Sequence, residues 1–179
     1  MEGWRKLGEH LVYDGFRRVV RRRFRVPGGE ELEYDVKIEP DVVAVVAVTA
    51  ADEVVLVREY RAGPEEVLLE VPGGALGPDE DPVEGARREL LEETGYAGDV
   101  SYVGALLDCA YSTRTRHACL ATGCRRVADP TPHPGEHLEV VLLPIREFVQ
   151  HVRGGRLTDA AAAYRALDSL GVLATSTSS

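Results

Sequence analysis

Short apolar and alternating segments, separated by turn residues, dominate the first part of the chain. Two alternating segments, 16–26 and 31–38, lie on either side of Pro27-Gly28-Gly29 and predict a β-hairpin. The run Val42–Val48 is almost continuously apolar, which is typical of a strand that is buried on both faces. Shorter strands are predicted at Val54–Val57 and Leu68–Val71.

One helix has clear signals at both of its ends. Asp81 can cap the helix, Pro82 suits the first helical position, and Glu84 stands where a reciprocal capping carboxylate belongs. Gly95 can adopt the left-handed conformation that ends a helix. The sequence therefore predicts a helix between Asp81 and Gly95.

Strands and helices alternate in the second half of the chain. Further strands are predicted at Val100–Leu107, Ala118–Thr122 and Glu139–Pro144, with helices that begin near Ile145 and run from about Thr158 to Leu170. Because strands predominate and helices follow groups of strands, the pattern favours the α+β or mixed α/β class.

Composition sets limits on the kind of protein and on its partners. The 179 residues allow one domain, or one domain with a short appendage, and the 44% apolar content is that of a globular protein. The 21 basic and 30 acidic residues give a formal net charge of −9, which argues against a nucleic-acid partner. Six arginines between Arg17 and Arg25 form a local basic patch, which an exposed strand or a dimer rim explains better than nucleic-acid contact.

Cysteine usage and the chain ends favour a cytoplasmic protein. Cys109, Cys119 and Cys124 are an odd number without the spacing of a zinc site, which fits a reducing compartment. The first ten residues lack a signal-peptide pattern, and no apolar run is long enough to cross a membrane. We expect no membrane partner, and we expect residues 173–179 to form a flexible tail.

Three glutamates crowd one face of the predicted helix. Glu89 is three and four residues from Glu92 and Glu93, so their charges repel, and the helix dipole disfavours anions near this end. A bound cation would compensate both penalties, and oxygen ligands without nearby His or Cys favour Mg²⁺ or Mn²⁺. The alternative is a solvated helix face on which Arg88 pairs with Glu84 and Glu92.

Fixed spacings favour the metal site over the solvated face. The positions that match a known pattern are Gly74, Glu80, Arg88, Glu89, Glu92, Glu93 and Gly95, and they fill every fixed position of the Nudix box. The chain therefore resembles the Nudix hydrolases, which use divalent metal to cleave nucleoside diphosphates linked to another group. Segments 58–61, 69–74 and 155–160 resemble the ADP-ribose pyrophosphatase branch of that family.

This resemblance implies a fold and a domain organisation. The expected architecture is an α/β/α sandwich around a mixed β-sheet, with an N-terminal β-hairpin. Residues 1–38 would form the hairpin segment and contribute to a homodimer, and residues 39–172 would form the Nudix hydrolase domain.

The resemblance also implies roles for the residues of the helix. Glu89 and Glu93 would be the principal metal ligands, with Glu92 contributing and the Gly73 carbonyl completing the shell. Arg88 would orient the glutamates and offset their repulsion. Glu80 is expected to be a structural partner in the loop before the helix.

Other positions match the substrate and water sites of the same branch. Arg58, Arg61 and Glu70 resemble its substrate-binding residues. Glu136 matches the loop glutamate that activates or positions water. Glu139 is the rival, and the alternative for Glu139 is that it simply begins the next strand.

The reaction that this resemblance implies is hydrolysis of ADP-ribose to AMP and ribose 5-phosphate. Alternatives are GDP-mannose or another nucleotide sugar, NADH, a diadenosine polyphosphate, or a non-catalytic nucleotide-sensing module. The stretch 108–117 departs from the ADP-ribose branch because it lacks the proline found there and holds Arg114 and Arg116. These arginines favour a substrate with more phosphate charge, or they pair with acids locally.

Overall fold

Ten strands and three helices make up the described part of the chain, residues 3–173, in the computed structural model. The strands are β1 (Arg5–Asp14), β2 (Arg18–Arg25), β3 (Glu31–Ile38), β4 (Val42–Thr49), β5 (Glu53–Arg61), β6 (Glu66–Glu70), β7 (Gly73–Ala75), β8 (Tyr96–Leu107), β9 (Thr115–Arg126) and β10 (Glu139–Pro144). The helices are α1 (Pro82–Thr94), α2 (Ile145–Arg153) and α3 (Ala160–Ser169). Of the predicted tail, residues 174–179 lie outside the described residues.

The described residues divide into two compact units. The first holds the residues up to Asp41 together with Leu107–Thr115, and the second holds Val42–Leu106 and the residues from Arg116 onward. Segment 107–115 joins the first unit because its backbone pairs with β3. The Lys37 N–H donates to the Tyr111 carbonyl at 2.8 Å, and the Thr113 N–H donates to the Lys37 carbonyl at 3.0 Å. The sequence-based prediction had placed this segment with residues 39–172, in the Nudix hydrolase domain.

The first unit is built on a three-stranded antiparallel sheet in the order β1-β2-β3. The hairpin of β2 and β3 confirms the prediction, and its turn uses Gly28 and Gly29 at positive φ. Strand β1 was not predicted because nearly every one of its residues is exposed, so no buried alternation marks it.

The arginines of β2 lie opposite acidic residues of β3. Arg21 pairs in register with Asp35 and forms a 2.8 Å ion pair with it, and Arg25 pairs with Glu31 in the same way. The basic patch of the sequence is therefore a ladder of opposite charges on an exposed sheet, as the exposed-strand interpretation expected.

The second unit is a seven-stranded mixed sheet with helices on both faces. The central order is β10-β5-β4-β9-β8, β6 and β7 pair with β5 and β4, and β4 runs parallel to β9. One core packs the sheet against α1 and includes Val43, Val55, Ala86 and Leu90. The other packs it against α2 and α3 and includes Leu56, Phe148, Val152 and Leu167. The predicted α/β/α sandwich is confirmed.

Helix α1 begins and ends where the sequence predicts. The Asp81 side chain accepts from the backbone N–H of Val83 at 2.8 Å and of Glu84 at 3.3 Å, and Gly95 ends the helix with φ of 73°. None of the helices within residues 3–173 combines the length and apolar character that crossing a bilayer requires.

Candidate active site

Two glycines bring the backbone of β7 close to both β4 and α1. Gly73 and Gly74 pair with Ala44 and Val43 of the central strand. A Cβ atom on Gly73 would strike the Val43 carbonyl and lie 2.9 Å from the Cα of Ala44. A Cβ atom on Gly74 would fall on the carboxylate of Glu89. The absence of side chains here lets the turn approach the glutamates of the helix.

Glu89 and Glu93 of α1 are buried where the helix faces this turn. Their exposed fractions are only 5% and 8%, and Glu93 accepts a hydrogen bond of 3.1 Å from the Gly73 N–H. Burial raises the pKa of both carboxyls, and it raises the pKa of Glu93 to about 8 despite that hydrogen bond. The solvated-face alternative therefore does not describe these two side chains.

Arg88 connects the helix to the preceding loop. It donates from Nε and Nη2 to Glu80, at 2.9 and 3.1 Å, and from Nη2 to the Ala75 carbonyl at 3.2 Å. From Nη1 it donates to Glu89 at 2.8 Å and to Glu92 at 3.2 Å. These charge-assisted bonds raise the pKa of Arg88, and its positive charge offsets the repulsion among the carboxylates.

Glu80 is a structural partner in the loop before α1, as predicted from the sequence. Besides binding Arg88, its carboxylate accepts from the Gly77 N–H at 2.8 Å. The hydrogen bond from Arg88 is the main reason that the pKa of Glu80 is lowered.

The donor set fits a divalent cation, although the side chains do not converge as a finished metal site. Within residues 3–173, no three His, Cys, Asp or Glu side chains form a group that could hold a metal ion. Glu93 is nevertheless a buried carboxylate with a backbone amide as its partner and no cation in ion-pair range among those residues. Such a group is costly unless a positive charge compensates it, and Glu89 and Glu92 add further oxygen donors.

A fourth carboxylate, Glu59, joins this group and was not identified from the sequence. It lies on β5, where alternate positions place it on the same face as Val55, which packs in the core beneath α1. Burial raises the pKa of Glu59, and the charge of Glu59 in turn helps to raise the pKa of Glu93. The sequence feature that could have revealed it is a charged residue that continues a buried apolar stripe.

Arg61, two residues further along β5, pairs with Glu59. Its Nη1 lies 2.8 Å from Glu59 Oε2, and its Nε is buried without a hydrogen-bond partner among the residues that the structure describes. An unmet buried donor is rare in folded proteins and marks this arginine as a candidate for binding an anion. The predicted substrate contact of Arg61 is compatible with this position.

The two rivals for the water-activating glutamate occupy different environments. Glu136 is half-buried in the loop before β10, where it accepts from the His133 N–H at 2.9 Å. Its charge contributes to the raised pKa of Glu59, Glu89 and Glu93, so the fold brings it near the other carboxylates. Glu139 begins β10, is 65% exposed and forms a 2.6 Å ion pair with Arg58.

Glu70 differs from the substrate contact that the resemblance implies. Its side chain is completely buried, and its oxygens accept from Thr158, at 3.1 and 3.2 Å from the backbone N–H and at 2.6 Å from Oγ1. The hydrogen bonds of Glu70 thus hold the segment before α3. The reason for the difference lies in tertiary packing, which covers the end of β6 with a segment almost ninety residues away.

Arg114 and Arg116 pair with groups of the chain itself. In the first unit, Arg114 lies 3.3 Å from Glu39 and donates to the Pro40 carbonyl at 3.0 Å. In the second unit, Arg116 forms an ion pair with Asp159. Of the two interpretations of these arginines, local pairing is the one that the structure shows.

The chain is similar to known proteins over most of its length. Residues 39–167 match the family model described as the NUDIX domain. The chain is 28% identical to the methanol dehydrogenase activator of Bacillus methanolicus over 137 residues, which cover 75% of this chain and 74% of that protein. It is 32% identical to the ADP-ribose pyrophosphatase of Mycobacterium tuberculosis over 146 residues, which cover 79% of this chain and 70% of that protein.

One solved structure has a similar fold. The crystal structure of an ADP compounds hydrolase superimposes with a TM-score of 0.79 and 20% identity, and the match covers 96% of this chain and 98% of that one. Since the family model spans most of the chain, the chain belongs to the Nudix hydrolase family.

Proposed function

We propose that the protein is a metal-dependent pyrophosphohydrolase that cleaves ADP-ribose to AMP and ribose 5-phosphate. The observation that carries this proposal is the buried pair Glu89 and Glu93, which faces the glycine turn of β7, where Glu93 accepts from the Gly73 N–H and Glu89 accepts from Arg88. The name of the relative from M. tuberculosis, ADP-ribose pyrophosphatase, supports the choice of substrate.

The metal in this proposal is Mg²⁺, with Mn²⁺ as a substitute. Glu89, Glu92 and Glu93 would hold it, together with the Gly73 carbonyl, and hard oxygen donors of this kind suit both ions. When bound, such an ion neutralises charge on the diphosphate and lowers the pKa of a bound water.

The side chains of the protein would carry out the remaining tasks. Arg88 keeps Glu89 and Glu92 in place, and Arg58 and Arg61 would bind phosphate or ribose. Water adds to one phosphorus, the bond from that phosphorus to the bridging oxygen breaks, and Glu136 accepts the proton that the water loses. The phosphate that keeps the bridging oxygen leaves as the second product.

The alternatives differ in how well the structure supports them. Arg114 and Arg116 would suit a substrate with more phosphate charge, such as a diadenosine polyphosphate, but both pair with groups of this chain. GDP-mannose, other nucleotide sugars and NADH share the same diphosphate chemistry. A non-catalytic sensor has no need of the complete glutamate set that α1 presents.

Assembly and location form a separate part of the proposal. We infer a homodimer that uses the 1–38 segment, in which Trp4, Tyr13 and Phe16 are exposed aromatic residues. We also infer a reducing compartment such as the cytoplasm, because Cys109, Cys119 and Cys124 are free thiols. Sedimentation velocity of the purified protein would test the dimer, and a single monomeric species would contradict it.

A substrate panel tests the reaction. The purified protein is incubated with ADP-ribose, GDP-mannose, NADH and diadenosine polyphosphates in Mg²⁺, in Mn²⁺ and in EDTA, and the products are separated by chromatography. We expect AMP and ribose 5-phosphate from ADP-ribose with either metal and none with EDTA. Absence of turnover on every compound would refute the enzymatic function, and preference for another compound would refute the substrate.

A further inference from the structure

Arg61 has binding capacity that the protein does not use. A guanidinium carries five N–H donors, whereas the ion pair with Glu59 occupies Nη1 and the Nε donor has no acceptor within residues 3–173. The side chain is 34% exposed, so its outer nitrogens remain within reach of a ligand.

Packing holds the inner part of the Arg61 side chain. The Nε atom is buried, which means that neighbouring atoms enclose that part of the side chain on β5. Glu59, only 20% exposed, contacts the outer nitrogen Nη1. We therefore expect removal of the Glu59 charge to free Nη1 while the packing of the inner part remains.

Glu59 and a phosphate group would compete for the Nη1 donor of Arg61. Carboxylates and phosphates both bind guanidinium through charge-assisted hydrogen bonds, so a phosphate that binds Arg61 through both outer nitrogens must take Nη1 from Glu59. The displaced carboxylate then remains as a negative charge beside a polyanion. Each additional phosphate adds negative charge and so increases that repulsion. Water screens the repulsion only in part, because the site is partly shielded from solvent.

We propose that Glu59 is a specificity-determining residue, which competes with substrate phosphates for Arg61 and so favours a diphosphate over longer polyphosphates. This inference rests on the proposed function of the site. It deepens that function because it identifies a charge limit on the substrates that the enzyme accepts.

Glu59→Gln tests the proposal, because it removes the charge and keeps the size of the side chain. KM is measured for ADP-ribose, and inhibition constants are measured for diadenosine diphosphate, triphosphate and tetraphosphate as competitors in Mg²⁺. We expect the variant to bind the diphosphate about twofold and the tetraphosphate about fivefold more tightly, within the range of one partly exposed ion pair. An unchanged or raised KM, or an equal gain for all three competitors, would overturn the proposal.

Two further variants separate this role from a general effect of charge. Glu65→Gln makes the same charge change at an exposed residue of the turn between β5 and β6, and we expect it to leave all four constants within experimental error. In an Arg61→Gln background there is no guanidinium to compete for, so the part of the Glu59→Gln gain that all three competitors share should disappear. A shared gain of the same size in that background would show that Glu59 does not act through Arg61.

The failure of the proposed function can be distinguished from the failure of this proposal. If the wild-type protein hydrolyses none of the panel compounds, the enzymatic function fails. The three diadenosine compounds are then titrated calorimetrically into wild type and Glu59→Gln. A gain that rises with phosphate number supports the role of Glu59, whereas no binding to either protein, or a uniform gain, refutes it.

Discussion

The guanidinium of Arg88 donates from Nη1 to Glu89 Oε1 at 2.8 Å, although the two residues are neighbours in the chain. Adjacent helical residues ordinarily point in directions about 100° apart. The contact is made because Glu80 and the Ala75 carbonyl hold the other nitrogens of Arg88 against the loop. One side chain thereby fixes the loop and the glutamate-bearing face of α1 relative to each other.

Arg88→Lys should separate positioning from charge. Lysine keeps the positive charge but cannot donate to Glu80, Glu89 and Glu92 at once, so we expect kcat/KM to fall about 10- to 100-fold. The metal concentration for half-maximal activity should rise in parallel. Arg87→Lys is the matched control, since Arg87 is more exposed and lies 3.5 Å from Glu84 alone. Equal effects of the two substitutions would contradict the positioning role.

Alanine at the two turn glycines should affect different properties. In Gly74→Ala the new Cβ meets the movable end of Glu89, so we expect activity and metal affinity to fall with little loss of stability. In Gly73→Ala it meets the backbone of β4, so the free energy of unfolding should fall by roughly 1–3 kcal/mol, as for an overpacked core position. Urea unfolding and kcat/KM measured on both variants check this. Equal free energies of unfolding for the two variants would refute the distinction between a structural effect at Gly73 and a functional effect at Gly74.

The stability of the metal-free protein should depend on pH through Glu93. Its pKa in the folded state is about 8, against an ordinary value of 4.5, so the folded state holds this proton more tightly. The resulting stabilisation is complete below the ordinary pKa and is lost as the pH rises toward 8. The slope from one such proton is at most about 1.4 kcal/mol per pH unit.

Glu93→Gln removes this dependence because the amide does not titrate. In EDTA, unfolding by urea between about pH 5 and pH 8 should show a shallower decline for the variant than for wild type. Mg²⁺ should stabilise wild type more at the upper end of that range, since the metal and the proton compete for the carboxylate. Parallel profiles of the two proteins would contradict the assignment.

The choice between the two loop glutamates can be made by a pair of isosteric substitutions. Glu136→Gln should lower kcat by about 10²- to 10⁴-fold, the range expected for loss of a general base. Glu139→Gln should change it by no more than about fivefold, because Glu139 contributes a partly exposed ion pair with Arg58. A reversed order of the two effects would make Glu139 the base.

Substitution of Thr158 tests whether its contact with the buried Glu70 stabilises the fold. Thr158→Val removes the 2.6 Å hydrogen bond to the buried carboxylate and should destabilise the fold by about 1–3 kcal/mol. Thr158→Ser keeps the hydroxyl and should retain most of the stability. If both variants unfold at the same urea concentration, the Glu70 contact is not a stabilising one.

Features encoded by short stretches of sequence could be predicted well. The ends of α1 depend on Asp81, Pro82 and Gly95, whose conformational preferences act within one turn. The same holds for the crowding of Glu89, Glu92 and Glu93, because three- and four-residue spacing fixes their common face. The β-hairpin followed from its glycine turn.

Features that depend on distant partners could not be predicted. The burial of Glu70 requires Thr158, which is 88 residues away. The role of Glu59 requires its strand to lie beneath α1, and the sequence alone does not show which helix covers which strand. The pairing of the arginine patch with acidic residues depends on the β2–β3 register, which places Glu31 and Asp35 of β3 opposite arginines of β2. The sequence alone does not show that register.

The pairing of segment 107–115 with β3 joins two parts of the first compact unit that are distant in the sequence. The family-matched residues, 39–167, include this segment but exclude Lys37, whose backbone it bonds. A chain shortened to the matched residues would leave the Tyr111 carbonyl and the Thr113 N–H without those partners. The family-matched range therefore includes only part of the first compact unit.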